Sequence, residues 1–192
     1  MAEHEDAAPP LLRRVEELVN TRSVEEGVDQ LADEAAVAAW LVGQGLVGAG
    51  RALSAEEAQL VRQVREGLRA LIALNNVDDG EGTAGADDGV GPGALATLAA
   101  LAPRLALGLD VAATPPRLVP VEPGTVAGAM AAVLGDVAEA VAEGSWARMK
   151  ACREPGCRWA YYDHSRNRSR AWCSMAVCGN RAKARAFRRR AR

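Results

Sequence analysis

Two matched cysteine pairs constrain this chain more than any other feature. Cys152-Arg-Glu-Pro-Gly-Cys157 is followed, after fifteen residues, by Cys173-Ser-Met-Ala-Val-Cys178. These are the only four cysteines among 192 residues, and all lie in the last 41. In the spacing C-x4-C-x15-C-x4-C each pair closes a short loop, so both sulfurs of a pair can face one ion. Pro155-Gly156 helps the first loop turn back, because proline fixes φ and glycine tolerates positive φ. Four thiolates make a closed tetrahedral set, which suits one structural Zn2+ and leaves no open position for catalytic water. An iron–sulfur cluster also takes four cysteines, and four unrelated buried thiols are the bland alternative.

Charge separates the same segment from the rest. Residues 1–146 carry 9 Lys/Arg and 23 Asp/Glu, a net of −14; residues 147–192 carry 14 and 2, a net of +12, and the two sum to −2. A basic module on an acidic body points to a polyanionic partner. The start, MAEHEDAAPP, has no apolar h-region, and no run approaches the roughly 18 apolar residues of a membrane helix. A cytoplasmic, nucleoid-associated location is expected, with no membrane partner. Reduced thiols in that compartment favour metal ligation over disulfides.

The first 144 residues read as a mainly helical domain with a small β-hairpin. Leu11, Leu12, Val15, Leu18 and Val19 fall at helical offsets, and that helix ends near Asn20-Thr21. A second helix spans about 33–43, with Val37, Trp40 and Leu41 on one face. Ser54-Ala-Glu-Glu57 is a capping box opening a helix with Leu60, Val61, Val64, Leu68, Leu71 and Ile72 as its stripe. Residues 75–93 hold six glycines and five acids, so a flexible loop is expected there. A short helix follows at about 94–102. Leu105, Leu107, Leu109 and Val111 alternate like a half-buried strand, and Leu118 to Val121 is its partner, confined to an edge by Pro120. A helix after Gly124 carries Val126, Met130, Val133, Leu134, Val137 and Val141, and Ser145 can cap a short one through Trp146–Lys150. Nothing here has catalytic spacing, His4 lies in a tail, and the chain is expected not to be an enzyme.

Within 145–192 six of the seven aromatics gather: Trp146, Trp159, Tyr161, Tyr162, Trp172 and Phe187. They suggest a miniature core around the metal, which supplies folding energy that about 40 residues lack on their own. Arg166, Arg168 and Arg170 would share a face if extended. After Cys178 the chain favours a basic helix, with Arg181, Arg185, Arg188 and Arg192 in one stripe beside Ala184, Phe187 and Ala191. Such a helix could seat Phe187 on the zinc core and turn guanidinium groups outward, where they match phosphate and guanine edges. Arg166, Arg168, Arg170, Arg181, Lys183, Arg185, Arg188 and Arg189 are the candidate nucleic-acid contacts. His164 reads as a surface or phosphate-contacting residue before a metal ligand.

Cys178-Gly179-Asn180-Arg181, both cysteine pairs, the D-x-S-R-N-x-S-R stretch at Asp163–Arg170 and W-C-S-M at 172–175 resemble the CGNR zinc finger over about 147–190. Upstream, Leu18-Val-Asn20-Thr21 and Ala38-Ala-Trp40-Leu41 resemble the ABATE domain that usually precedes it. This chain has Glu16-Glu17 before Leu18, where the family often has an aromatic-containing L-D-F-V-N-T. The resemblance implies a treble-clef-like zinc module ending in a basic helix, with Cys152, Cys157, Cys173 and Cys178 as ligands of one structural Zn2+. It implies a bacterial stress-responsive transcription regulator whose finger binds duplex DNA and whose helical domain senses a small-molecule ligand or a partner. Other readings of the same residues are an RNA-binding protein that stacks bases on its aromatics, a protein-interaction module whose finger docks on its own acidic domain, and a redox sensor that ejects zinc on oxidation. A homodimer is compatible with the sequence.

Overall fold

The computed structural model describes residues 7–76 and 92–190. His4, Arg192 and residues 77–91, which make up most of the expected flexible loop, lie outside them.

Helix α1 (Pro10–Asn20) begins with a proline whose missing N–H costs nothing in the first turn, and it buries Leu12, Val15, Leu18 and Val19. Strands β1 (Arg22–Ser23) and β2 (Val28–Asp29) form a minimal antiparallel hairpin. Gly27 turns it at φ 67°, in the left-handed region. Helix α2 (Glu34–Gly43) is capped by Asp33, whose carboxylate accepts from the Ala36 amide at 2.8 Å.

Helix α3 (Ala55–Ala73) is the central pillar. Its capping box is fully made: the Glu57 amide donates to Ser54 Oγ at 3.1 Å, and the Ser54 amide to Glu57 Oε2 at 2.9 Å. Leu60, Val61, Val64, Leu68 and Ile72 are buried along it. Helix α4 (Pro92–Leu101) lies close against α3 at Gly67, where an added Cβ would stand 2.6 Å from Leu98 Cβ.

A 3-10 turn (Ala102–Arg104) leads into β3 (Leu107–Asp110), which pairs antiparallel with β4 (Arg117–Pro120). Helix α5 (Val126–Glu143) packs against this hairpin, α1 and α3. Thr125 caps it, and Gly144 ends it at φ 76°.

Three expectations change here. The alternation of 105–111 buries only its first half: Leu105 is buried, but Leu109 is 62 % and Val111 74 % exposed. Gly135 of α5 packs near Leu107, whereas the far end of the hairpin has no such cover. Val141, expected on the apolar face of α5, is exposed in its last turn. Ser145 has no side-chain cap bond to a following helix; its hydroxyl donates back to Ala140 O at 3.3 Å, a carbonyl that also accepts from the Gly144 and Ser145 amides where α5 ends. Only a 3-10 turn (Trp146–Arg148) follows, and Lys150 stands in β5 (Met149–Ala151).

Strand β5 pairs antiparallel with β6 (Ala160–Tyr162), and all six residues are buried. A π-turn (Met175–Gly179) then opens helix α6 (Asn180–Arg190). The result is a mainly helical body with small hairpins, continued by a four-cysteine module that ends in a basic helix. Trp146, Met149, Ala151, Ala160 and Tyr162 lie in the same core as α1 to α5. No helix among the described residues is long and apolar enough to cross a membrane.

Candidate metal centre and nucleic-acid interface

The module assembles from three local turns. Cys152 follows β5, and its amide donates to Trp159 O at 2.9 Å. The first loop closes where the Cys157 amide donates to Glu154 O, also at 2.9 Å, with Pro155-Gly156 between them. Arg158 leaves this loop at φ 55°, a conformation that a branched residue could not hold without strain. Cys173 follows Trp172 in the long connection, and Cys178 sits in the π-turn, whose first residues are held by Ser174 Oγ accepting from the Val177 amide at 3.3 Å. The knuckle in a hairpin, the connection and the closing helix give the treble-clef order expected from the sequence.

All four sulfurs lie within 4.8 Å of one another, with Cys157–Cys173 at 3.5 Å and Cys173–Cys178 at 3.7 Å. A tetrahedron with Zn–S of about 2.3 Å has edges of roughly 3.8 Å, so the set fits one Zn2+. Electrostatics agree. Hydrogen bonds from Cys157 and Cys173 pull the Cys152 thiol far down. The bond to Cys152 pushes Cys157 up to about 12 and Cys173 up as well, and burial raises Cys178. The shifts arise chiefly from the four thiols acting on one another, and a dication among the sulfurs would let all four ionise. Zinc held there would lock both loops and the start of α6 and would offer no position for substrate.

The signature tetrapeptide has a physical role at each position. Cys178 is a ligand. An added Cβ on Gly179 would stand 2.4 Å from Met175 Sδ and 3.2 Å from Trp172 Cδ1. Asn180 Nδ2 donates to Ala176 O at 3.0 Å, fastening the π-turn to α6. Arg181 reaches Glu25, in the β1–β2 turn, at 2.7 Å.

Both acids of the basic segment turn inward. Glu154 accepts a two-pronged pair from Arg185 at 2.6 and 2.7 Å. Asp163 is fully buried and accepts from the amides of Ser165 and Arg170 at 2.9 and 3.0 Å. Burial alone would raise its carboxyl, but the bonds from Ser165 and Arg170 and the charge of Lys150 outweigh that and hold it low. The outer surface of the module is thus left to its cations.

The eight expected nucleic-acid contacts divide. Arg166, Arg168, Lys183, Arg188 and Arg189 are exposed. Arg181 and Arg185 carry the acidic partners just described. Arg170 folds inward: its guanidinium lies 4.8 Å over the Tyr161 ring and donates to Trp172 O at 2.9 Å and to Cys173 O. The extended stretch expected for 166–170 is replaced by a turn, with Arg168 at φ 51° and its amide on Ser165 O. His164 is also exposed, its Nε2 3.2 Å from Ala7 O.

The aromatic core is partly as expected. Trp146, Tyr161 and Tyr162 are buried, and Tyr161 donates its hydroxyl to Arg170 O at 2.6 Å. Phe187 departs from expectation: it is 74 % exposed, because the side of α6 facing the module is taken by Ala182, Arg185 and Ala186.

Sequence reasoning missed the clamp that seats the module on the body. Asn20 donates to Ala160 O at 2.9 Å and accepts from the Ala160 amide at 2.8 Å. Asn76 does the same for Ala151, at 3.0 and 3.3 Å. Asn75 donates to Trp146 O and Met149 O. Two side-chain amides thus stand in for neighbouring strands at the two edges of β5–β6. Arg69, fully buried on α3, adds donors to Arg158 O at 3.1 Å and Val19 O at 2.7 Å. The only local hint was that Asn20-Thr21 and Asn75-Asn76 stand at or just after helix ends.

With that geometry in place, comparison with known families gives two matches. Residues 148–191 match the CGNR zinc finger. Residues 12–144 match ABATE, described as "Putative stress-induced transcription regulator". No curated protein matches the chain.

Proposed function

Because this chain belongs to the ABATE family and closes with a CGNR zinc finger, we propose that it is a bacterial transcription regulator that binds duplex DNA through α6 and the 165–168 turn. The observation that carries this is the inward burial of Glu154 and Asp163, the only two acids of 147–192, while Arg166, Arg168, Lys183, Arg188, Arg189 and Arg190 are exposed. Six such contacts give a log–log salt slope of about −5, at roughly −0.9 per phosphate. Fluorescence anisotropy on duplex DNA from low to moderate salt tests it, and affinity that does not move with salt refutes it. The RNA reading keeps only part of its stacking set: Tyr161 and Tyr162 are buried, Trp172 is half-buried, and Trp159 is exposed, so competition between duplex DNA and single-stranded RNA separates the two.

Sensing is assigned to the body. A groove of about 920 Å³ between the starts of α3 and α5 is floored by Leu60 and Leu101 and edged by Arg51, Arg104 and Glu122. Mixed charge over an apolar floor suits a small polar ligand. Gln63→Trp, which fills the groove, should abolish any rise in unfolding temperature that a metabolite screen produces with the native chain.

A further inference from the structure

Helix α6 has a held side and a free side. Arg181 and Arg185, one turn apart, are gripped by Glu25 and Glu154. Positions two apart on a helix point about 200° away from each other, so Lys183 and Phe187 face away from those anchors. Arg190, three residues beyond Phe187, lies on that same side. Phe187 is therefore an exposed ring between two cations, on a helix tied to the body through Glu25 and to the first cysteine loop through Glu154.

The charge around the ring selects its partner. Helix α6 carries six Lys/Arg and no acid. A second copy would bring the same cations to the same face, and an apolar protein groove would strip water from Lys183 and Arg190 without replacing it. A polyanion answers both cations and can still offer apolar surface to the ring. Among grooves of a duplex, the major groove is the one wide enough for a helix. Every base pair there presents hydrogen-bonding edges, which a phenyl ring cannot answer. The single apolar feature in the groove is the thymine 5-methyl group.

We propose that Phe187 is a base-reading residue that packs on a thymine methyl in the major groove, while Lys183 and Arg190 hold flanking phosphates. This rests on the duplex-binding reading above and adds a sequence preference to it. It also divides the work of α6: Arg181 and Arg185 position the helix, and the face of Lys183, Phe187 and Arg190 reads.

The test uses the full-length, zinc-loaded chain. A duplex is selected from a random-sequence pool, and each of its thymines is replaced in turn by deoxyuridine, which removes one methyl group. At one or two positions the native chain should bind the deoxyuridine duplex about fourfold more weakly. Phe187→Ala should weaken binding to the thymine duplex by at least as much and be indifferent to deoxyuridine at those positions. Phe187→Leu should keep part of the preference. Because Phe187 is exposed, zinc content and circular dichroism should match across the variants. Deoxyuridine duplexes that all bind like the original, or a Phe187→Ala chain with unchanged position sensitivity, overturn the inference. So does a native dimer that Phe187→Ala converts to a monomer in sedimentation, since the ring then belongs to a contact between copies. Salt-steep binding with no enriched sequence overturns base reading while duplex binding stands, and absence of any duplex binding overturns both.

Discussion

Asp136 is a carboxylate in the wrong place for its charge. It sits on α5 half-buried, 3.3 Å from Arg14 of α1, and burial raises it to about 6 despite that arginine, with Glu139 adding to the rise. A group whose folded value is raised above its unfolded value of about 3.9 binds its proton more tightly in the folded state. Its effect is therefore neutral to stability below about pH 4 and increasingly unfavourable as pH rises through 4 to 6. Asp136→Asn should unfold at higher denaturant than the native chain at pH 7.5, by about 1–3 kcal/mol, and the difference should close by pH 4. Urea titrations at the two pH values check it, and an equal gap at both would contradict the burial argument. Asp163 has the opposite sign. Its depressed carboxyl contributes stability that is present above about pH 4 and lost as pH falls through its folded value. Such differences are not legible in sequence, where Asp136 and Asp163 are both just acids; the sign is set by whether the donors that reach the carboxylate outweigh its burial, as the Ser165 and Arg170 amides and Lys150 do at Asp163 and the single Arg14 does not at Asp136.

At the scale of elements, what was legible was what is local. The capping box at Ser54 and Glu57 closes within four residues, and the stripe of α3 repeats every turn, so both can be read without knowing the fold. Strands β5 and β6 could not be found that way. Each is three residues long, Met149-Lys-Ala and Ala160-Tyr-Tyr, and every one of the six is buried, so no alternation marks them. Their edges are completed by Asn20 and Asn76, which are 140 and 75 residues away from the strands they complete. That dependence predicts large effects from small changes. Asn20→Ala and Asn76→Ala each leave a strand N–H and C=O without partners, at a cost of about 1–3 kcal/mol each. Asn20→Asp should also destabilise, because it keeps the acceptor for the Ala160 amide but removes the donor to Ala160 O. Chemical denaturation gives the sizes, and hydrogen exchange should show the loss centred on 149–151 and 160–162 rather than on α1 or α3. The same logic explains Leu109 and Val111, whose alternation was real but whose burial required a neighbour that the sequence does not specify.

Across the whole molecule, the cysteine cluster and the −14/+12 charge division could be read from the chain, and both suggest a finger attached to an independent body. The hydrophobic core does not follow that division. Trp146, Met149, Ala151, Ala160 and Tyr162 lie beyond residue 144 yet pack among α1, α3 and α5, with Asn20, Asn75, Asn76 and Arg69 fixing the hairpin in place. Stripping zinc should therefore loosen the parts that depend on the ion, roughly 152–159 and 163–190, and leave the body and β5–β6 seated; hydrogen exchange with and without chelator resolves this. Truncation asks the converse question. A chain ending at Gly144 removes a buried tryptophan and a buried methionine, each worth about 2–5 kcal/mol when cut back to alanine. It also leaves Asn20 and Asn76 without partners. Set against a total stability of about 5–15 kcal/mol for a domain, that loss is most of what holds the body folded. A chain ending at His164, with Cys152 and Cys157 replaced by serine, restores the hairpin without the metal. Thermal unfolding should show a cooperative transition for the longer chain and a broad or absent one for the shorter. Equal transitions would mean that the hairpin only rests on the body, and the finger's orientation would then not be set by the helices beneath it.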